Sequence, residues 1–151
     1  MQKKCRKVAV FACSGIGKSL GTVAREIGYE LTERVRPHDT LLTCLALLVI
    51  NDPETQKLIT ENPVIVIDGC SLDCARKSLE ANGAPLVKAY QSIDFFKKHK
   101  DLKPEGVAEL NDAGKKLAAL AADELAGVVD ELLRGGDDGQ ANESRNHILQ
   151  R

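Results

Sequence analysis

The sequence contains no tryptophan, and aromatic residues make up only 3% of it. Proteins that bind single-stranded nucleic acid stack bases on aromatic side chains interleaved with basic ones, and that pattern is missing here. There are 21 lysine and arginine residues against 22 acidic ones, so the net charge of -1 gives no general attraction to nucleic acid or to an anionic membrane. We therefore expect an aliphatic core and no nucleic-acid partner.

Long hydrophobic runs are missing as well. The longest, such as 40–50 and 63–67, are well short of the roughly 20 apolar residues that a membrane-spanning helix needs. The basic N-terminus is followed by an apolar run, 8–13, that is too short for the core of a secretory signal peptide. These absences predict a cytoplasmic protein without a membrane span.

The remaining composition is that of a globular domain, with 43% hydrophobic and 28% charged residues in a chain of 151. A chain of this length typically folds as one domain around one sizeable core. We assign residues 1–134 to that domain. Residues 135–151 are polar, contain glycine and show no hydrophobic periodicity, so they predict a disordered tail.

Short apolar runs alternate with helical patterns along the chain. The run at 64–67 is apolar on both faces, which is typical of a strand inside a parallel sheet. The predicted strands are 8–12, 31–35, 64–67 and 86–90, and the predicted helices are 18–27, ended by Gly28, 39–49, 53–60, 71–81 and a long one between Asp112 and Gly135. This order predicts a single α/β domain with a mostly parallel sheet of about four strands flanked by helices, a Rossmann-like three-layer arrangement.

Five cysteines, an odd number, are better explained as thiols or metal ligands than as disulfides in a chain without a secretory signal. Cys13 and Cys70 each follow a predicted strand, and the carboxyl ends of parallel strands meet at one crevice. Cys74 lies four residues beyond Cys70, so both can face the same space. Cys44 lies within a predicted apolar helix, and spacing alone does not decide whether it joins them.

Two interpretations of these thiols follow. If Cys44 joins the other three, the four thiolates suit tetrahedral Zn²⁺, because soft sulfur ligands match the metal and fill its four positions. Otherwise the cysteines are buried, reduced thiols that pack as small hydrophobic residues.

The tripeptide Asp-Gly-Cys at 68–70, followed by Cys74, resembles the DGC domain family, which is named after it. The resemblance extends over roughly residues 8–86, and it includes Cys-Ser-Gly at 13–15 and a mid-chain cysteine, here Cys44. It implies one Zn²⁺ held by Cys13, Cys44, Cys70 and Cys74, with no defined biochemical role. Iron is the less favoured metal, since four thiolates also suit iron and iron-sulfur clusters. Cys5 falls outside the pattern.

Two classes of function stay open at these cysteines. Four thiolates close the coordination sphere, as in a regulatory or metal-binding module, whereas three leave a position for water or substrate, as in a zinc- or thiol-dependent enzyme. The sequence leaves the partner open between a homodimer, another protein and a small-molecule substrate. Asp68 is expected to cap the turn at Cys70 through backbone amides.

A further alternative uses the glycine-containing segment 14–19, between a predicted strand and a predicted helix. In a phosphate loop, backbone amides and a lysine hold nucleotide phosphates while a serine or threonine holds Mg²⁺, and Lys18 and Ser19 are residues of those types. The pattern also requires a glycine five residues before Gly17, where this sequence has Ala12. Nucleotide binding through 14–19 is therefore the less favoured prediction.

Overall fold

The computed structural model describes residues 6–135, and its centre is a four-stranded, all-parallel sheet. The strands are β1 (Val8–Ala12), β2 (Thr40–Leu42), β3 (Val64–Asp68) and β4 (Val87–Gln91). The order across the sheet is β2-β1-β3-β4, so β1 and β3 lie in the middle. The predicted single-domain α/β fold with a parallel sheet is confirmed.

Within the described residues, six α-helices flank the sheet and produce three layers. The helices are α1 (Ser19–Tyr29), α2 (Ala46–Val49), α3 (Pro53–Glu61), α4 (Cys74–Ala81), α5 (Ser92–Lys98) and α6 (Asp112–Arg134). Alternate residues of the central strands face two separate cores. Val10 and Ile67 pack on the side of α1 and α6, whereas Phe11 and Val66 pack on the side of α3 and α4.

The chain after α1 differs from the prediction. Gly28 does not end the first helix, and 31–35 is a π-helical continuation of it rather than a strand. The helix passes close to β2 at Gly28, where an added Cβ would lie 3.2 Å from Cδ1 of Leu42. The continuation is anchored to α6 because Arg36 donates hydrogen bonds of 2.9 and 3.2 Å to Asp130. These long-range contacts override the local pattern.

The predicted helix at 39–49 is wrong in its first half. Thr40–Leu42 forms β2, which pairs with β1 from Val8 to Val10, and only Ala46–Val49 is helical. Three residues are too few to display the alternation of a strand, and their pairing partner is distant in sequence. As a result, Cys44 follows a strand instead of lying within a helix.

The strand predicted at 8–12 is confirmed with both of its ends, and the other predicted elements are confirmed with slightly shifted ends. The helix α5 was not predicted; it is short, and its Phe95 is buried in the core. In the described part of the chain, no helix combines the length and the apolar character needed to cross a bilayer. Cys5 and the predicted tail beyond Gly135 lie outside the described residues.

Candidate metal centre

Three neighbouring strands each lead into a segment that carries a cysteine. Cys13 directly follows β1, whereas Cys44 and Cys70 lie two residues beyond the ends of β2 and β3. Because these strands are adjacent and parallel, the three cysteines follow the same edge of the sheet. The chain leaves β1 toward the α1 core and leaves β3 toward the α4 core. Such a switch between neighbouring strands is where open α/β sheets form their ligand crevice.

Cys74 is the first residue of α4, and Asp68 fixes the start of this helix from the end of β3. The buried Asp68 carboxylate accepts hydrogen bonds from the backbone N–H groups of Ala75, at 2.9 Å, and Arg76, at 3.0 Å. These amides belong to the first turn, where a helix has no partners of its own. Asp68 therefore acts as a cap through backbone amides, as predicted. The amides belong to the first turn of α4, however, and not to the turn at Cys70.

Asp73 holds the turn between β3 and α4. Its backbone is in the left-handed region, with φ 52°, and its N–H donates to the Cys70 carbonyl at 3.2 Å. Its carboxylate accepts hydrogen bonds from Gln91 at the end of β4, at 2.6 Å, and from Arg76, at 3.0 Å. The bond to Asp73 is also the main cause of the raised pKa of the Arg76 guanidinium. The turn that carries Cys70 and leads to Cys74 is thus tied to β4.

Glycines let the loops that carry Cys13 and Cys70 approach the backbone of α1. A Cβ added at Gly69 would lie 2.5 Å from the Cα of Gly21, and one added at Gly21 would lie 2.8 Å from the Cα of Gly15. Position 69 of the Asp-Gly-Cys tripeptide therefore requires a glycine, because the backbone of its loop lies against the backbone of α1. Sequence reasoning missed Gly21, because a glycine within a helix gives no sign of which loop will meet it.

All four predicted ligands are accessible. Cys44 and Cys74 are exposed, Cys13 and Cys70 are partly buried, and none of the four forms a disulfide. The alternative of fully buried thiols is therefore wrong for these residues.

A cavity of about 400 Å³ opens beside Cys44. Its wall combines leucines with two acidic residues, Asp52 and Glu54, and hydrogen bonds from the Thr55 side chain and backbone lower the pKa of the Asp52 carboxyl. A small molecule would have room to reach the Cys44 thiol from this side. The apolar lining consists of Leu41, Leu42, Leu47 and Leu58.

The donor types fit Zn²⁺, but the described side chains do not converge on one point. Between residues 6 and 135, no group of three or more Cys, His, Asp or Glu side chains is arranged to hold a metal ion. Thiolates are nevertheless preferred ligands of Zn²⁺, and four of them fill its tetrahedral shell. The four cysteines therefore suit Zn²⁺ in ligand type and in their position at one edge of the sheet. Their side chains, as described, are not arranged around a common point.

Comparison with known protein families agrees with the motif at β3. The family model described as the DGC domain matches residues 9–113, which is more than half of the chain. The matched region contains all four of the candidate cysteines and ends at the start of α6. No curated protein and no solved structure gives a significant match.

Proposed function

Because this chain belongs to the DGC domain family, we propose that it is a zinc-binding protein that holds one Zn²⁺ through Cys13, Cys44, Cys70 and Cys74. The observation that carries the proposal is the placement of these cysteines. Three of them follow adjacent parallel strands, and the fourth begins the helix that comes after the third strand. Four accessible thiols at one edge of a sheet supply both the ligand type and the ligand number that Zn²⁺ prefers.

Metal binding should be accompanied by a local change in the cysteine-bearing loops, because the described side chains do not form a coordinating group. The backbone beneath these loops is well anchored. The Cys13 N–H donates to the Ile67 carbonyl at 2.9 Å, and Asp68 and Gly69 fix the other side of the site. We therefore expect rotation of the thiols and small loop shifts, with the sheet unchanged.

A second candidate is an enzyme in which Cys13, Cys70 and Cys74 bind zinc and Cys44 does not. The cavity beside Cys44 favours this candidate, since it leaves room for a small molecule next to the one of the four cysteines that would not bind the metal. A three-thiolate zinc keeps a position for water or substrate, and bound zinc makes such a water more acidic. In this case the leucines of the cavity would bind the apolar part of a substrate.

Zinc analysis combined with thiol labelling tests the proposal. Protein purified without a chelator is expected to contain about one zinc per chain, with the four thiols protected from iodoacetamide until a chelator is added. Cys70→Ser and Cys74→Ser should each lose the zinc, because each removes one of the few ligands. Cys5→Ser is the matched control and should retain it, since Cys5 lies outside the proposed set.

Each result has a distinct meaning. Metal-free protein with four rapidly reacting thiols would overturn zinc binding. Bound zinc with three protected thiols and a reactive Cys44 would favour the enzyme over the closed site. Visible charge-transfer absorption from the purified protein would identify iron in place of zinc.

A further inference from the structure

The two loops that carry Cys13 and Cys70 meet at the same residue of α1. Gly21 is buried, and its Cα and N would lie 2.5 and 2.6 Å from a Cβ added at Gly69, in the loop after β3. Its carbonyl oxygen would lie 2.9 Å from a Cβ added at Gly15, in the loop after β1. Real Cβ atoms do not approach so closely, so all three positions need to lack a side chain.

We propose that Gly21 is a positioning residue for the thiol site, because its bare backbone sets the separation of the loop that carries Cys13 from the loop that carries Cys70. This inference rests on the proposed zinc site, since it identifies what holds two of the ligand-bearing loops in place. Gly21 does not supply a ligand, and it acts only through Gly15 and Gly69.

Apart from the hydrogen bond from the Cys13 N–H to the Ile67 carbonyl at the strand ends, the other contacts of these loops hold each loop separately. The Thr22 hydroxyl donates to the Gly15 carbonyl at 3.3 Å, and Arg25 donates to the Ser14 carbonyl at 3.4 Å, which ties the first loop to α1. Asp68 ties the second loop to α4. Gly21, by contrast, contacts both loops. Glycine is also disfavoured within a helix. The close contacts of Gly21 with Gly15 and Gly69 explain why a glycine occupies this helical position.

A pair of glycine-to-alanine variants separates this role from a general effect on helices. Gly21→Ala places a methyl group against Gly15, whereas Gly127→Ala in α6 places one in open space. Both changes improve helix propensity. We expect Gly21→Ala to bind zinc about 10-fold to 100-fold more weakly and to shift the d–d absorption bands of the Co²⁺-substituted protein, as loss of an outer positioning contact does at metal sites. Gly127→Ala should match the wild type in both.

A measurement without metal distinguishes failure of this inference from failure of the zinc proposal. In a Cys5→Ser, Cys44→Ser, Cys74→Ser background, only the thiols of Cys13 and Cys70 remain. Oxidised glutathione takes two electrons from this pair as their disulfide forms and leaves as two reduced glutathione molecules. The equilibrium constant gives the effective concentration of one thiol at the other. We expect the effective concentration in the folded protein to exceed the value measured in urea. We also expect it to fall when Gly21→Ala is added to this background.

A wild type that binds no zinc refutes the zinc site, while the thiol equilibrium still decides the role of Gly21. If folded Gly21→Ala shows an unchanged effective concentration and an unchanged zinc affinity, the positioning role is overturned. It is also overturned if the effective concentration in the folded protein with Gly21 is no higher than in urea. If Gly21→Ala does not fold, Gly69→Ala meets the same backbone and is measured in the same way. Unfolding of both variants would show that the contact supports the whole domain and would also overturn a specific positioning role.

Discussion

At the scale of single residues, each residue of the tripeptide at 68–70 has a different physical role. Asp68 caps α4, Gly69 lies against the backbone of α1, and Cys70 supplies a thiol. The thiols could be predicted, because a cysteine after a strand is visible in the sequence. The partners of Asp68 and Gly69 could not, since a cap seven residues away and a contact with another helix depend on the path of the folded chain.

Asp68 offers the first test at this scale. Replacing its side chain by a methyl group leaves two amides at the start of α4 without their acceptor. Asp68→Ala should therefore lower the free energy of unfolding by roughly 0.5–2 kcal/mol, the range for lost helix caps. Zinc affinity should fall too, because Cys74 begins the helix that loses its cap. Asp68→Asn should restore part of both, since the two amides bond to different oxygens of Asp68 and asparagine keeps only one of those oxygens. Urea unfolding and zinc titration measure these effects.

Asn111→Ala is the matched control for this prediction. Asn111 caps α6 by accepting a 2.8 Å hydrogen bond from the Gly114 N–H, and α6 carries no cysteine. Its loss should destabilise the fold to a similar degree without changing zinc affinity. Equal losses of zinc affinity in Asp68→Ala and Asn111→Ala would show that the metal senses overall stability and not the cap of α4.

At the scale of secondary-structure elements, a strand could be predicted when its own residues showed a clear pattern, and not when its pairing with a distant strand defined it. β3 is buried on both faces, so its apolar run identified it from the sequence. β2 is short and lies at the edge of the sheet, and its pairing with β1 defines it. The error at β2 had a consequence for the site, because only the strand assignment brings Cys44 to the same edge as Cys13.

The loop between β1 and α1 bears on the nucleotide-binding alternative. Ala12, which stands where a phosphate loop requires its first glycine, is the last residue of β1 and pairs with Ile67. Lys18 is exposed and extended just before α1. The loop is therefore shorter than a phosphate loop, which begins its glycine-rich turn at the position that Ala12 occupies here.

Lys18→Ala tests this alternative directly. Because Lys18 is exposed, the variant should retain its zinc and unfold within about 0.5 kcal/mol of the wild type. Isothermal titration of either protein with ATP and Mg²⁺ should detect no binding at micromolar concentrations. If the wild type instead binds ATP in a Mg²⁺-dependent manner and Lys18→Ala does not, nucleotide binding through residues 14–19 would replace zinc as the leading function.

At the scale of the whole molecule, the proposed metal joins elements that pack in different cores. α1 packs in the core that contains Val10 and Ile67, and α4 packs in the core that contains Phe11 and Val66. A zinc ion bound by Cys13, at the start of the loop that leads to α1, and by Cys74, at the start of α4, would bridge the two sides at the edge of the sheet. A bridge between two cores adds to the stability of the fold as a whole, because metal bound to the native state lowers its free energy.

Bound zinc should raise the thermal stability of the fold by an amount that follows from its affinity. A ligand that binds only the native state, present at 100 times its Kd, adds about 2.7 kcal/mol. For a domain of this size that corresponds to a rise in Tm of roughly 8–11 °C. Calorimetry of the chelator-treated protein, repeated after zinc is restored, should show a reversible change of this order.

The double variant Cys70→Ser, Cys74→Ser is the control for the calorimetry. It keeps the aliphatic cores, so it should fold and melt near the Tm of the metal-free wild type, with no response to zinc. A wild type whose Tm does not respond to zinc would contradict the bridge between the cores. A response retained in the double variant would place the stabilising zinc at residues other than Cys70 and Cys74.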